Sequence, residues 1–334
     1  MTGTRVRTAL TMLLPLLGIV LLGVFGTGAD DYTIYVLTLA VLAAISAMGL
    51  DVLMGYAGYV SLAQGAMYGI GAYTTAILTR EHAWSFWAAL GGAVVVAAAI
   101  AAVLAGLLFR TRGLYFAIVT LGIGLIASGL FVSAREITGG PSGYVGIPGI
   151  TPFLGWQPTT DAHKLVIALV LLAVLYLVAA LFVQSTWGRR SVAIREDEVL
   201  ARSLGIRPEM PRFMAFVFAA VCAAVAGSFF AAYSNFISPT SFGLLAVGFQ
   251  AVVIVVVGGM GTLWGPMLAA LLLTALPEGL RVADQLSALL YGVVLLIFIL
   301  FAPRGLAGLL TDAVRAARRA GGRRVGTVLV KEGT

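Results

Sequence analysis

From Arg5 to Arg304 the chain is a succession of apolar runs, about twenty residues each, with nearly all of its charge held in the segments between them. About 20 apolar residues are what an α-helix needs to cross the hydrocarbon of a bilayer. Lone strands in lipid would leave backbone groups unpaired, so the runs are read as helices. Outer-membrane barrels show short segments of alternating polarity, unlike these Leu-, Ala-, Val- and Ile-rich stretches. The composition agrees, being 60% hydrophobic and 10% charged, where a soluble domain carries about 25% charged residues.

The expected fold class is all-α, a polytopic membrane protein with about ten transmembrane helices, at 8–26, 33–54, 59–79, 86–109, 113–133, 164–184, 213–235, 244–261, 264–281 and 285–302. The runs 59–79 and 264–281 are the most Gly-rich and least apolar. The first run follows Arg5 and Arg7 and precedes the small residues Gly26 to Ala29, as in a signal peptide. Signal peptides have a shorter apolar region, so an uncleaved helix is expected.

Lys and Arg test the orientation. With the N-terminus inside, 17 of the 21 fall on the inner side, and only Arg80, Arg135, Lys164 and Arg281 fall outside. Such a bias in short loops sets topology, so both termini are expected in the cytoplasm. Residues 1–310 then form the transmembrane domain, with an outer loop at 134–163 and an inner loop at 185–212. Residues 311–334 form a basic cytoplasmic tail suited to the anionic headgroups of a lipid bilayer. The net charge of +7 is spread as topology signals rather than gathered into a patch, so no nucleic-acid partner is expected.

Catalytic chemistry finds no footing. The run Gly258-Gly259-Met260-Gly261 lacks the lysine of a phosphate-binding loop, so the chain has no ATPase site of its own. Cys222 lies in an apolar run, and His82 and His163 lie in polar connections. These residues assemble neither a metal site nor a nucleophile–base pair, and no cofactor is expected. An ionisable group at membrane depth is usually functional. Asp51 is the candidate, which keeps an ion-coupled carrier open beside the simpler reading that it caps a neighbouring helix. Ser61, Gln64 and Gln250 are uncharged polar groups able to touch a translocating zwitterion without trapping it, as conduction requires. Interhelical hydrogen bonds are the alternative for each. Gly55, Gly58, Gly65, Gly69 and Gly71 would let backbones approach closely.

In the inner loop, helical spacing over 191–205 places Leu200 and Leu204 on one face and pairs Glu198 with Arg202 at i,i+4. Gly205 followed by Pro208 ends the helix. Together with Arg195 and Glu196 these residues form an amphipathic knob for a partner's groove. The acids Glu196 to Glu198 would oppose anionic lipid, so a protein partner is preferred. The outer loop carries Gly139-Gly140-Pro141 and Gly146-Ile147-Pro148. It exceeds the about 12–15 residues beyond which loops are functional or disordered. Its Tyr144, Phe153 and Trp156 are costly to leave in water, which favours a docking surface, supplemented by Glu278 and Arg281.

Four segments resemble one known family. They are Gly55-Tyr56-Ala57-Gly58-Tyr59-Val60-Ser61-Leu62 with Gly69-Ile70-Gly71-Ala72-Tyr73, Arg112 to Leu121, Thr138-Gly139-Gly140-Pro141 with Gly146-Ile147-Pro148, and Gly258 to Pro266. With Phe301-Ala302-Pro303-Arg304-Gly305-Leu306 they are similar to the branched-chain amino acid ABC importer permeases, M-type subunit, over about residues 35–310. The resemblance implies a multi-pass permease of the bacterial inner membrane. It would pair with an H-type permease, two cytoplasmic ABC ATPases and a periplasmic solute-binding protein, and would carry branched-chain or other hydrophobic amino acids. Helix 191–205 would then be the coupling helix, with Val199-Leu200-Ala201 where Glu-Ala-Ala is usual. Tyr59-Val60-Ser61-Leu62-Ala63-Gln64 departs from the usual Gln-Leu-Ser-Leu-Gly pattern, and Asp51 stands where Asn is common. Urea and short-amide importers use permeases of the same family, so the solute stays open.

Overall fold

A computed structural model describes residues 15–24, 26, 28–108, 111, 113–152, 155–279, 292–293, 296, 305–309 and 311–312. The tenth expected span, 285–302, therefore lies almost wholly outside the described residues, as does nearly all of the tail 311–334.

The described chain is all-α apart from one two-stranded ribbon. Its helices are α1 Pro15–Val24, α2 Asp31–Asp51 (continued by a π turn over Val52–Tyr56), α3 Gln64–Arg80 and α4 Phe86–Leu108. Then come α5 Leu114–Ser133, the short α6 Arg135–Thr138, α7 Asp161–Gln184, α8 Thr186–Glu196 and α9 Glu198–Ser203. Last are α10 Glu209–Ser234, α11 Gln250–Gly258 after a π turn at Leu244–Phe249, and α12 Trp264–Gly279. Among the described residues, six spans are long and apolar enough to cross a membrane: Asp31–Tyr56, Phe86–Leu108, Leu114–Ser133, Asp161–Gln184, Glu209–Ser234 and Pro239–Gly258. The chain is a multi-pass membrane protein.

Burial sorts these helices into a core and a jacket. Helix α2 is buried on nearly every side, packed by α7, α10, α11 and α12. Helix α4 is buried on one seam alone, where Phe86, Ala89, Ala93, Ala97, Ala101, Ala105 and Leu108 are fully covered. The alanines recur every fourth residue, so they share one face, and their small size lets α4 lie close on α3 and α10. Its opposite face exposes Val95 and Val103, and α5 likewise exposes Leu114, Leu125 and Ile126. Apolar surface of that extent is tolerated only against lipid or a partner.

The core depends on backbone contact at three glycines. A Cβ on Gly71 would fall 2.5 Å from Ala224 Cα, one on Gly227 would strike the Tyr68 carbonyl, and one on Gly49 would strike Cys222. Ser228 reinforces the α3–α10 crossing by donating to Gly71 O at 3.1 Å.

Three expectations are corrected. The span expected at 59–79 begins as a helix only at Gln64, because Gly58 takes φ +79° and turns the chain out of the preceding helix. The single inner helix over 191–205 is two helices. Asp197 is extended (φ −155°, ψ 106°) between α8 and α9, and its carboxylate accepts from Leu200 N at 2.9 Å to start the second. The outer loop includes strand structure: β1 (Tyr144–Val145) pairs antiparallel with β2 (Phe236–Ile237).

That ribbon is well tied. The Asn235 amide donates to Ile147 O at 2.8 Å, and Tyr144 hydroxyl donates to Glu81 at 2.7 Å with the Arg80 guanidinium over its ring. Burial, then the adjacent Glu81 carboxylate, pushes the Tyr144 phenol up to about 12, against about 10 in an unfolded chain. A phenol raised on folding contributes stability that is complete below pH 10 and fades as pH rises toward 12. With the base-catalysed rise of intrinsic exchange divided out, protection at residues 144–147 is therefore expected to fall across that window, and Tyr144→Phe should remove that fall.

Candidate functional site

A cleft of about 220 Å³ opens among the core helices. It is lined by Leu39, Ala43 and Ser46 from the middle of α2, Tyr68 from α3, Phe230 from α10, and Ser241. The far wall is Ala246, Val247, Gln250, Ala251 and Ile254, with Thr274 from α12. The α2 residues stand at i, i+4 and i+7, hence on one helix face. Sites for drug-sized ligands occupy about 300–1,000 Å³, so this cleft suits a smaller solute.

Its chemistry is mixed. Most of the wall is aliphatic or aromatic, yet it carries hydroxyls and one carboxamide. The Ser46 and Thr274 hydroxyls are buried, and neither has a hydrogen-bond partner within the described residues. Such an unmet hydroxyl costs about 1–3 kcal/mol, so its persistence calls for an explanation. Both residues line the cleft, beside the apolar side chains of Leu39, Val247 and Ile254. Ser46, Tyr68, Ser241 and Thr274 were missed in the sequence. Their only signal was a hydroxyl isolated in an apolar run, which many buried helices share.

Of the four expected pathway residues, Gln250 lines the cleft and the other three are engaged elsewhere. Gln64 donates to Ser46 O at 2.9 Å and to Ala219 O at 3.2 Å, joining α2, α3 and α10. Ser61 is buried, and its hydroxyl accepts from Ala63 N at 3.4 Å at the start of α3. Asp51 is buried at the end of α2, where its two carboxylate oxygens accept from Gly261 N at 2.7 Å and Leu263 N at 3.1 Å. It is a clamp on the turn that joins α11 to α12.

The α8–α9 end of the bundle carries the expected coupling residues. Leu200, Leu204 and Val199 are exposed, and Glu196 is exposed beside them. Glu198 accepts from Arg202 at 3.0 Å and from the buried Arg212 at 2.5 Å, so α9 is bolted to the start of α10. Gly205 has φ +80° and donates to Arg202 O at 2.9 Å, ending α9 as expected of a glycine. Arg195 points inward: its guanidinium donates to Gly55 O.

At the ribbon end, Gly139 and Gly140 have φ +75° and +62°, and Gly140 is buried against Arg135, so both shape a turn. Pro141 is exposed. Arg281 and the side chain of Glu278 lie outside the described residues.

A family model described as branched-chain amino acid transport system / permease component matches residues 32–302. The chain belongs to this permease family. It is 38% identical over 296 residues to the high-affinity branched-chain amino acid transport system permease protein LivM of Escherichia coli, covering 82% of this permease and 69% of that one. The LivM of Salmonella typhimurium is 38% identical over 291 residues, 80% and 68% of the two chains. A shorter stretch of 132 residues is 36% identical to the autoinducer 2 import system permease protein LsrC of Salmonella paratyphi B, covering 37% of this permease and 38% of LsrC. No solved structure matches. The permease is accordingly a transport subunit and not an enzyme.

Proposed function

We propose that this permease forms half of the translocation pathway of an ABC importer in a bacterial inner membrane and carries branched-chain or other hydrophobic amino acids. The observation that carries the reading is the match to two LivM permeases over four-fifths of the chain. The cleft supports the cargo class, since an amino acid of this kind is a compact apolar body with a charged head, and the wall offers both surfaces.

The permease spans the membrane ten times with both termini in the cytoplasm, as the Lys/Arg distribution favours. Residues 1–310 are the transmembrane domain and 311–334 a basic tail. Helices α8 and α9 lie on the cytoplasmic side and offer Leu200 and Leu204, with Glu196, to one of two ATPases. A second, H-type permease completes the pathway. Pro141 and its turn, with Glu278 and Arg281, receive a periplasmic binding protein.

The test is reconstitution. Purification in mild detergent should recover a second permease and two ATPases, and proteoliposomes supplied with the binding protein on the opposite side should take up leucine only with ATP on the ATPase side. A lone chain that transports without ATP would overturn the reading. Within that assay Thr274→Val removes a hydroxyl with no partner among the described residues, so the melting temperature should hold or rise. A hydrogen bond to a charged group contributes about 1.5–3 kcal/mol. Leucine uptake at subsaturating concentration should therefore fall by about 10- to 100-fold.

A further inference from the structure

We infer that Arg195 is a positioning residue that transmits movement of α8 into the walls of the cleft, and not a contact to the ATPase. The inference rests on the importer reading above.

Helix α2 ends in a π turn, and its last carbonyls have no helical partner, as at every helix C-terminus. The chain escapes at Gly58, where φ is +79°. The Arg195 guanidinium donates to the carbonyl of Gly55, a buried residue, from a different helix, 140 residues on. A cation at the negative end of a helix is also electrostatically favoured. Glycine is required around it: a Cβ on Gly58 would come within 2.8 Å of Arg195 Cγ, and one on Gly261 within 3.3 Å of Arg195 Nη1.

Asp51 stands one helical turn before Gly55, hence on the same face. It grips Gly261 and Leu263 while Gly55 is gripped by Arg195. Three separate pieces are thereby pinned at one point: the end of α2, the turn 259–263, and α8. The turn connects α11 and α12, and these two with α2 supply Ser46, Gln250, Ile254 and Thr274 to the cleft. Glu196, next to Arg195, pairs with it at 2.5 Å on the exposed side. A push on α8 thus has a route to the cleft through the Arg195 guanidinium, beside the packing of α8 on α7 and α10.

The test compares wild type, Arg195→Lys and Arg195→Ala in the assembled transporter. Recovery of the ATPase subunits and basal ATP hydrolysis should stay within twofold of wild type for both variants. Leucine taken up per ATP hydrolysed should drop at least tenfold in Arg195→Ala and recover in part in Arg195→Lys, which keeps one donor. Loss of the ATPase subunits in Arg195→Ala would make the residue a partner contact and overturn the inference, as would unchanged coupling. Hydrogen exchange in detergent provides an arm independent of transport. Amides 55–59 and 259–263 should exchange faster in Arg195→Ala, with α4 and α7 unchanged. Unaltered exchange there overturns the inference even if uptake falls, whereas wild type failing at ATP-driven uptake overturns the importer reading alone.

Discussion

Asp51→Ala is expected to destabilise the folded permease by about 2–4 kcal/mol, the net of losing two charge-assisted hydrogen bonds to buried amides. The loss has two sources. Two charge-assisted hydrogen bonds disappear, each contributing about 1.5–3 kcal/mol, and the Gly261 and Leu263 amides are left without an acceptor in a buried place. Release of the carboxylate from burial offsets part of this. Asp51→Asn should fall between, because one amide oxygen still accepts while the NH2 group faces a second donor. Thermal unfolding in detergent orders the three proteins as wild type, Asn, Ala. The same variants separate two mechanisms. A gradient-driven carrier using Asp51 as its ionisable group would lose all uptake in Asp51→Asn. A clamp would leave ATP-driven uptake in whatever fraction remains folded, and gradient-driven uptake would be absent in both proteins.

Gly71→Val should be harsher still, at or beyond about 4 kcal/mol. Overpacking a core usually costs about 1–3 kcal/mol because side chains can rotate away. Here the obstacle is the backbone of Ala224, whose Cα and carbonyl carbon would lie 2.5 and 2.7 Å from a new Cβ. Backbone cannot rotate, so α3 and α10 must separate and the Ser228 bond to Gly71 is lost with them. Loss of a monodisperse peak on size-exclusion chromatography is the expected readout. Gly106→Ala is the control, since a Cβ there meets nothing within 4 Å. It should be neutral or stabilising by at most about 1 kcal/mol, the helix preference of Ala over Gly. A Gly71→Val protein that melts with wild type would show that the close crossing is wrong.

Local order was legible where neighbours in sequence are neighbours in space. The pairing of Glu198 with Arg202 and the stop at Gly205 follow from helical spacing and from the glycine conformation. The break at Asp197 was legible too, as an N-cap acid before Glu-Val-Leu. Helical spacing over 191–205 continues through it, so spacing alone does not separate one helix from two. The outer ribbon was not legible, since β1 finds its partner about ninety residues later and neither two-residue strand carries a pattern.

The roles of the polar residues in the core divide along the same line. Asp51 meets Gly261 across 210 residues and Gln64 meets Ala219 across 155. Nothing in the local sequence distinguishes an acid that clamps a turn from one that relays a proton. Gln64 and Gln250 are alike in composition and surroundings, yet only the second faces the cleft.

By itself the sequence determined that the chain is helical and membrane-embedded, because about twenty apolar residues in lipid have to satisfy their own backbone. It also showed that the glycine run at 258–261 is no phosphate-binding loop, because the lysine such a loop needs is missing. Tertiary structure alone decided which polar groups line the cleft and which hold the frame. In lipid a hydroxyl or carboxylate needs a partner, and which helix supplies it depends on packing at glycines far apart in the chain.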